Sequence, residues 1–86
     1  MYVIITADQC KWCDKAKDAL FERGIPYFPF DTADPGIRQL LFAFGVKTVP
    51  QIFKAALGNH PLEYIGGYDD LKKHLDYEDF HNATNL

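Results

Sequence analysis

Both cysteines of the chain lie in one tetrapeptide, Cys10-Lys11-Trp12-Cys13, which follows closely on a short apolar run, Tyr2–Thr6. That run is β-branched, brief and bounded by the polar residues Asp8 and Gln9, which suits a strand buried on both faces. Beyond the pair, Trp12, Ala16, Ala19 and Leu20 recur at helical spacing, with Lys15, Asp18 and Glu22 turned to the other side and Gly24 as a left-handed exit. The cysteines therefore stand at a strand-to-helix junction, with Cys10 at the mouth of the helix. A chain that opens as strand, cysteine pair, helix is steered toward an α/β fold.

The later elements extend that order. Residues 26–30, Pro-Tyr-Phe-Pro-Phe, read as a second strand, and Pro29 places it at a sheet edge because proline has no N–H for a ladder. Asp34 and Pro35 supply the cap and first-turn proline of a second helix. Its buried face is expected from Ile37, Leu40, Leu41 and Phe44, and Gly45 ends it. Residues 51–55 and 62–65 form two further strands, joined as a hairpin by the turn-rich residues 57–61. The stretch from Gly66 to Leu75 makes a third helix, and the polar residues 77–86 are expected to fray. The order βαβ then αββα implies a parallel pair from the crossover and an antiparallel pair from the hairpin. The expected architecture is a mixed four-stranded sheet flanked by three helices.

Composition narrows the partners. At 86 residues and 48 % hydrophobic content the chain is one globular domain. A net charge of -3 gives no basic footprint for nucleic acid, and no apolar run reaches the length of a membrane span. Small molecules and proteins remain. The N-terminal Met-Tyr-Val-Ile-Ile-Thr reads as a strand and not as a signal peptide, so the cytoplasm is expected. In that reducing compartment a cysteine pair is catalytic or metal-binding more often than a static crosslink.

The position of the pair favours redox chemistry. A helix N-terminus stabilises a thiolate through its unpaired N–H groups and its dipole, and the thiolate is the attacking species. Cys10 is thus the nucleophile, and Cys13, one turn later, is placed to resolve the mixed disulfide. Lys11 adds charge inside the motif, whereas Lys15 and Lys17 read as solvated helix charges. Zinc needs four ligands, and His60, His74 and His81 have no helpful spacing to the cysteines, so no resident metal is expected. An iron–sulfur cluster shared between two subunits is the alternative use of the sulfurs.

Together with Cys10-Lys11-Trp12-Cys13, the segments Thr48-Val49-Pro50-Gln51-Ile52-Phe53 and Gly66-Gly67-Tyr68-Asp69-Asp70-Leu71 resemble a dithiol glutaredoxin of the thioredoxin-fold superfamily. The resemblance runs to about Leu75 and implies a domain over residues 1–76 with a polar tail at 77–86. It implies a monomeric glutathione-dependent oxidoreductase that reduces protein disulfides or glutathione mixed disulfides, with glutathione as co-substrate and no bound cofactor. Ribonucleotide reductase is among the disulfide-containing partners it suggests. In the family the proline matching Pro50 is cis and faces the active cysteine, so that Val49 can pair with a bound thiol peptide. Thr48 belongs to the same segment. Gly67, Tyr68, Asp69 and Asp70 match the family's seat for the γ-glutamyl end of glutathione, where a helix N-terminus meets a carboxylate and an aspartate can meet the ammonium. Trp12 keeps an aromatic in the cysteine motif, as a wall of the groove or as core packing. Three residues before the first cysteine, family members often carry a lysine for the glycine carboxylate of glutathione. This chain has Ala7 there, which leaves Lys11, Arg38 or Lys47 as candidates for that charge. A redoxin reduced by thioredoxin reductase is the alternative reading within the same enzyme class.

Overall fold

A computed structural model of the chain describes residues 1–55 and 62–84. Its elements are β1 (Tyr2–Thr6), α1 (Lys11–Glu22), β2 (Tyr27–Asp31), α2 (Pro35–Ala43), β3 (Gln51–Lys54), β4 (Glu63–Gly66) and α3 (Tyr68–Thr84). The sheet order is β2-β1-β3-β4, with β1 and β2 parallel and the other two pairings antiparallel. This is the expected mixed sheet of a thioredoxin-like fold, and β2 with its Pro29 lies at the edge. The hairpin turn expected at residues 57–61 lies outside the described residues.

Local chemistry sets the helix ends. Cys10 is the N-cap of α1, its sulfur accepting from the Cys13 N–H at 3.1 Å. Asp34 caps α2, its carboxylate accepting from the Gly36 N–H at 2.8 Å, with Pro35 in the first turn. The left-handed exits after α1 and α2 fall on Gly24 and Gly45, at φ 67° and 70°.

The core lies on one face of the sheet. Tyr2 and Ile4 of β1 and Ile52 of β3 pack against Ala16, Ala19 and Leu20 of α1 and Leu71 and Leu75 of α3. Burying one such leucine contributes about 1.5–3 kcal/mol. Arg23, just beyond α1, adds ion pairs to Asp76 and Asp79 that join the two helices.

Two expectations need correction. Of the α2 face expected to be buried, only Leu41 is; Leu40 is 44 % exposed and Phe44 66 %. The helix stands off the second face of the sheet, and Ile37, Leu40, Leu41 and Phe44 border an apolar cavity of about 710 Å³ against Val3, Ile5 and Phe53. Helical period selects the residues that share a face, but not the distance at which that face packs. The segment after Asp76 also differs from a fraying tail. It continues α3 to Thr84, and Glu78 receives Lys54 at 2.7 Å, so an interaction with β3 holds it.

Candidate functional site

The site is assembled where β1 hands over to α1. Gln9 takes a left-handed conformation, φ 54°, and turns the chain into the helix. Cys10 and Cys13 are joined in a disulfide with Cα atoms 5.2 Å apart. Cys13 is fully buried, whereas Cys10 is partly open to solvent. The accessible sulfur is therefore the one that receives a backbone N–H at the positive end of α1, the arrangement that stabilises a thiolate.

The segment before β3 forms the facing wall. The Val49-Pro50 peptide is cis, and the Val49 carbonyl oxygen lies 3.9 Å from the Cys10 sulfur. Gln51 holds this segment in place. Its side-chain amide donates to the Thr48 carbonyl at 3.0 Å and to the Thr48 hydroxyl at 3.1 Å, while its carbonyl accepts from the Tyr64 hydroxyl at 2.5 Å. Sequence reasoning passed over Gln51, although a polar residue directly after the proline and buried to 4 % exposure is the one signal of this strut.

A groove of about 200 Å³ opens beside Cys10, lined by Trp12, Thr48, Val49, Pro50, Gly67, Tyr68 and Asp69. Trp12 is half exposed and lines this groove, so its place is not core packing. Its ring lies 5.5 Å from that of Tyr68, and the Lys15 ammonium sits 4.6 Å from the indole centroid. Lys15 is exposed, as its reading from sequence as a solvated charge expects, and it also makes a cation–π contact with the indole. Gly66 exits β4 at φ 123°, and the Asp70 carboxylate lies where a side chain on Gly66 would go. Lys11, Arg38, Lys47 and Asp70 are exposed and do not line the groove. The structure therefore brings together seven of the residues selected around the cysteines and leaves these four outside the wall.

Of the histidines, His60 lies outside the described residues. His74 sits beside Glu78, with Nε2 3.0 Å from Oε1 but without hydrogen-bond alignment, and His81 stacks on Tyr77. Among the described residues, no group of three or more His, Cys, Asp or Glu side chains is placed to hold a metal ion. No helix there is long and apolar enough to cross a membrane.

Comparison with known proteins agrees with this geometry. The glutaredoxin family model matches residues 2–56. Glutaredoxin 3 of Escherichia coli (strain K12) is 34 % identical over 70 residues, covering 79 % of this chain and 77 % of the relative. The solution structure of glutaredoxin from Brucella melitensis superposes with a TM-score of 0.69 at 29 % identity, covering 94 % of this chain and 84 % of that one. A buckwheat glutaredoxin–glutathione complex superposes with a TM-score of 0.67 at 26 % identity, covering 87 % of this chain and 68 % of that one. With its cysteine pair at the cap of α1 and the family's match over most of its length, the chain belongs to the glutaredoxins, the glutathione-dependent thiol–disulfide oxidoreductases.

Proposed function

We propose that this enzyme binds glutathione in the groove beside Cys10 and uses it to reduce glutathione mixed disulfides and protein disulfides. The observation that carries the reading is the accessible Cys10 sulfur, held at a helix N-terminus and facing the Val49 carbonyl across the groove. A glutathione complex of a structural neighbour supports it.

In the oxidised enzyme a glutathione thiolate attacks the Cys10 sulfur. The new sulfur–sulfur bond forms as the Cys10–Cys13 bond breaks, and Cys13 leaves with the electron pair and takes a proton. A second glutathione thiolate then attacks the sulfur of the bound glutathione, releasing glutathione disulfide and the Cys10 thiolate. Two thiols have been oxidised and one disulfide reduced. The reduced enzyme attacks a substrate disulfide through Cys10, and the substrate's departing sulfur takes its proton from solvent.

The groove residues have separable roles. The Val49 backbone pairs with the extended tripeptide as an added strand. Gly67 and Tyr68 present the first N–H groups of α3 to the γ-glutamyl carboxylate, and Asp69 meets the ammonium. Trp12 supplies an apolar wall. The glycine carboxylate finds no lysine at Ala7, and Lys11 is the cation nearest in sequence to the nucleophile. A cytoplasmic setting and monomeric state fit this work, and ribonucleotide reductase is a candidate among protein substrates.

The test compares Cys13→Ser with Cys10→Ser under glutathione and glutathione reductase. Cys13→Ser retains deglutathionylation, which needs one sulfur, and loses most protein-disulfide reduction, where intramolecular attack by Cys13 frees the product. Cys10→Ser loses both. Turnover with thioredoxin reductase but none with glutathione would assign the electron donor to the other redoxin class.

A further inference from the structure

Thr6, the last residue of β1, is 4 % exposed, and its hydroxyl has no hydrogen-bond partner among the described residues. Its main chain is otherwise occupied: the carbonyl accepts from the Thr32 N–H at 2.9 Å, and the residue pairs with Asp31 of β2. The hydroxyl alone is unsatisfied, and a buried polar group without a partner calls for an explanation.

Its location supplies one. Side chains alternate along a strand, so Thr6 shares a face with Tyr2 and Ile4, which pack on α1 and α3. Val3 and Ile5 point to the cavity under α2. Because α1 is the crossover between the parallel strands β1 and β2, it runs back along β1. Its last turn, with Leu20, covers the start of the strand near Tyr2, and its first turn covers the end at Thr6. The inward residue of that first turn is Cys13, fully buried. Among the described residues, the other buried side chains that carry an oxygen or nitrogen are Gln51, bound to Thr48 and Tyr64, and Tyr2, whose hydroxyl donates to Glu78. Besides Cys13, the other buried ionisable side chain on β1, α1 or α3 among the described residues is Tyr2, at the far end of β1 with its hydroxyl on Glu78 of α3.

In the disulfide, the Cys13 sulfur has neither proton nor charge and offers the hydroxyl little. Reduction changes this, because Cys13 then carries either S–H or a negative charge in a seam closed to water. A hydroxyl can serve both forms by rotation, accepting from the thiol and donating to the thiolate. We propose that Thr6 is a positioning residue for the resolving cysteine, its hydroxyl becoming the hydrogen-bond partner of the Cys13 sulfur when the disulfide opens. This rests on the assignment of Cys13 as resolver. In the step concerned, Cys13 loses its proton to solvent and its thiolate attacks the Cys10 sulfur of the mixed disulfide. The Cys10–Cys13 bond forms, the bond to the substrate sulfur breaks, and that sulfur leaves with the electron pair and is protonated by solvent. Thr6 neither gains nor loses a proton.

The decisive comparison is Thr6→Val, which keeps the shape and removes the hydroxyl, with Thr6→Ser, which restores it. In reduced protein carrying Cys10→Ser, the pH dependence of alkylation reports the Cys13 thiol. Thr6→Val is expected to reduce its thiolate equilibrium about tenfold, a shift of about one pH unit, and Thr6→Ser to remain near the parent. In the unsubstituted cysteine background, equilibration with glutathione should show the Thr6→Val disulfide harder to reduce by a similar factor, because only the reduced form loses a bond. The oxidised Thr6→Val protein, which loses no bond, should melt no lower than wild type, and this distinguishes a redox-linked contact from a fold defect. If the Cys13 titration is the same in Thr6→Val and its parent, the proposal is overturned. The resolver assignment is judged separately: equal protein-disulfide reduction by wild type and Cys13→Ser would remove it without altering the titration result.

Discussion

At the scale of single residues, the site depends on which groups stand at the starts of two helices. Cys10 caps α1 with its sulfur, so its thiolate form gains a hydrogen bond and a favourable dipole, while Cys13 is closed off in the core. Iodoacetamide at mildly acidic pH should therefore modify Cys10 of the reduced enzyme well before Cys13, as peptide mapping will show; equal labelling would contradict the assignment of roles. The two glycines before α3 differ in the same local way. A methyl group on Gly66 would meet the Asp70 carboxylate, at a φ of 123° that side chains rarely adopt, whereas one on Gly67 would rest 3.7 Å from the Pro50 carbonyl oxygen, an ordinary contact. Gly66→Ala should cost more than about 1 kcal/mol in urea unfolding. Gly67→Ala should leave stability nearly unchanged and act on glutathione KM, since Gly67 lines the groove. The paired glycines were visible in the sequence as permission for close approach; which of them needs its missing side chain depends on Asp70, one helical turn away.

At the scale of elements, the sheet has one tightly packed face and one loosely covered face. Leu71 of α3 is fully buried among α1, β1 and β3, so Leu71→Ala should cost about 2–5 kcal/mol. Leu40 of α2 borders the open cavity at 44 % exposure, and Leu40→Ala should cost no more than about 1 kcal/mol. Chemical denaturation of the two variants checks the contrast, and amide hydrogen exchange should show α2 opening more readily than α1 or α3. The contrast also marks the reach of the sequence. Asp34, Pro35, Gly24 and Gly45 announced helix ends because capping and left-handed turns are local chemistry. The parallel pair and the antiparallel hairpin pair followed from the order of elements, and Pro29 disclosed the edge, whereas the adjacency of β1 and β3 came only with the structure. The gap under α2, the Gln51 strut and the unpaired Thr6 hydroxyl were not legible, since each is set by how far apart distant elements come to rest. Continuation of α3 beyond Asp76 escaped for a related reason. Its polar composition gives no apolar stripe, and contacts with β1 and β3 hold it instead.

Over the whole molecule, those contacts form a clasp that makes stability depend on pH at both extremes. Glu78, on the late turns of α3, accepts from the Tyr2 hydroxyl of β1 at 3.4 Å and from the Lys54 ammonium of β3 at 2.7 Å, with His74 alongside. Burial pushes the Glu78 carboxyl up, but the Lys54 hydrogen bond, the charges of His74 and Lys54 and the Tyr2 hydroxyl together hold it below its usual value. A carboxylate with a depressed pKa stabilises the fold above its unfolded pKa, and that contribution is lost as pH falls through the folded one. Tyr2 has the opposite sign. Burial first, then the charge and hydrogen bond of Glu78 and the charge of Glu63, raise it from 10.0 to about 12. Its contribution is complete below 10.0 and is lost as pH rises toward 12. Thermal melts should therefore show a plateau that declines on both sides, and Glu78→Gln should flatten both declines at once. It removes the titrating carboxyl on the acid side and, on the basic side, a charge that keeps the Tyr2 phenol protonated, which tyrosinate absorbance will follow directly. The side chains of Lys54 and Glu78 are each about one-third exposed, so added salt should weaken the acid-side effect without abolishing it. An unchanged tyrosinate titration in Glu78→Gln would show that burial and the Glu63 charge govern Tyr2 and that Glu78 has no part in the basic-side decline.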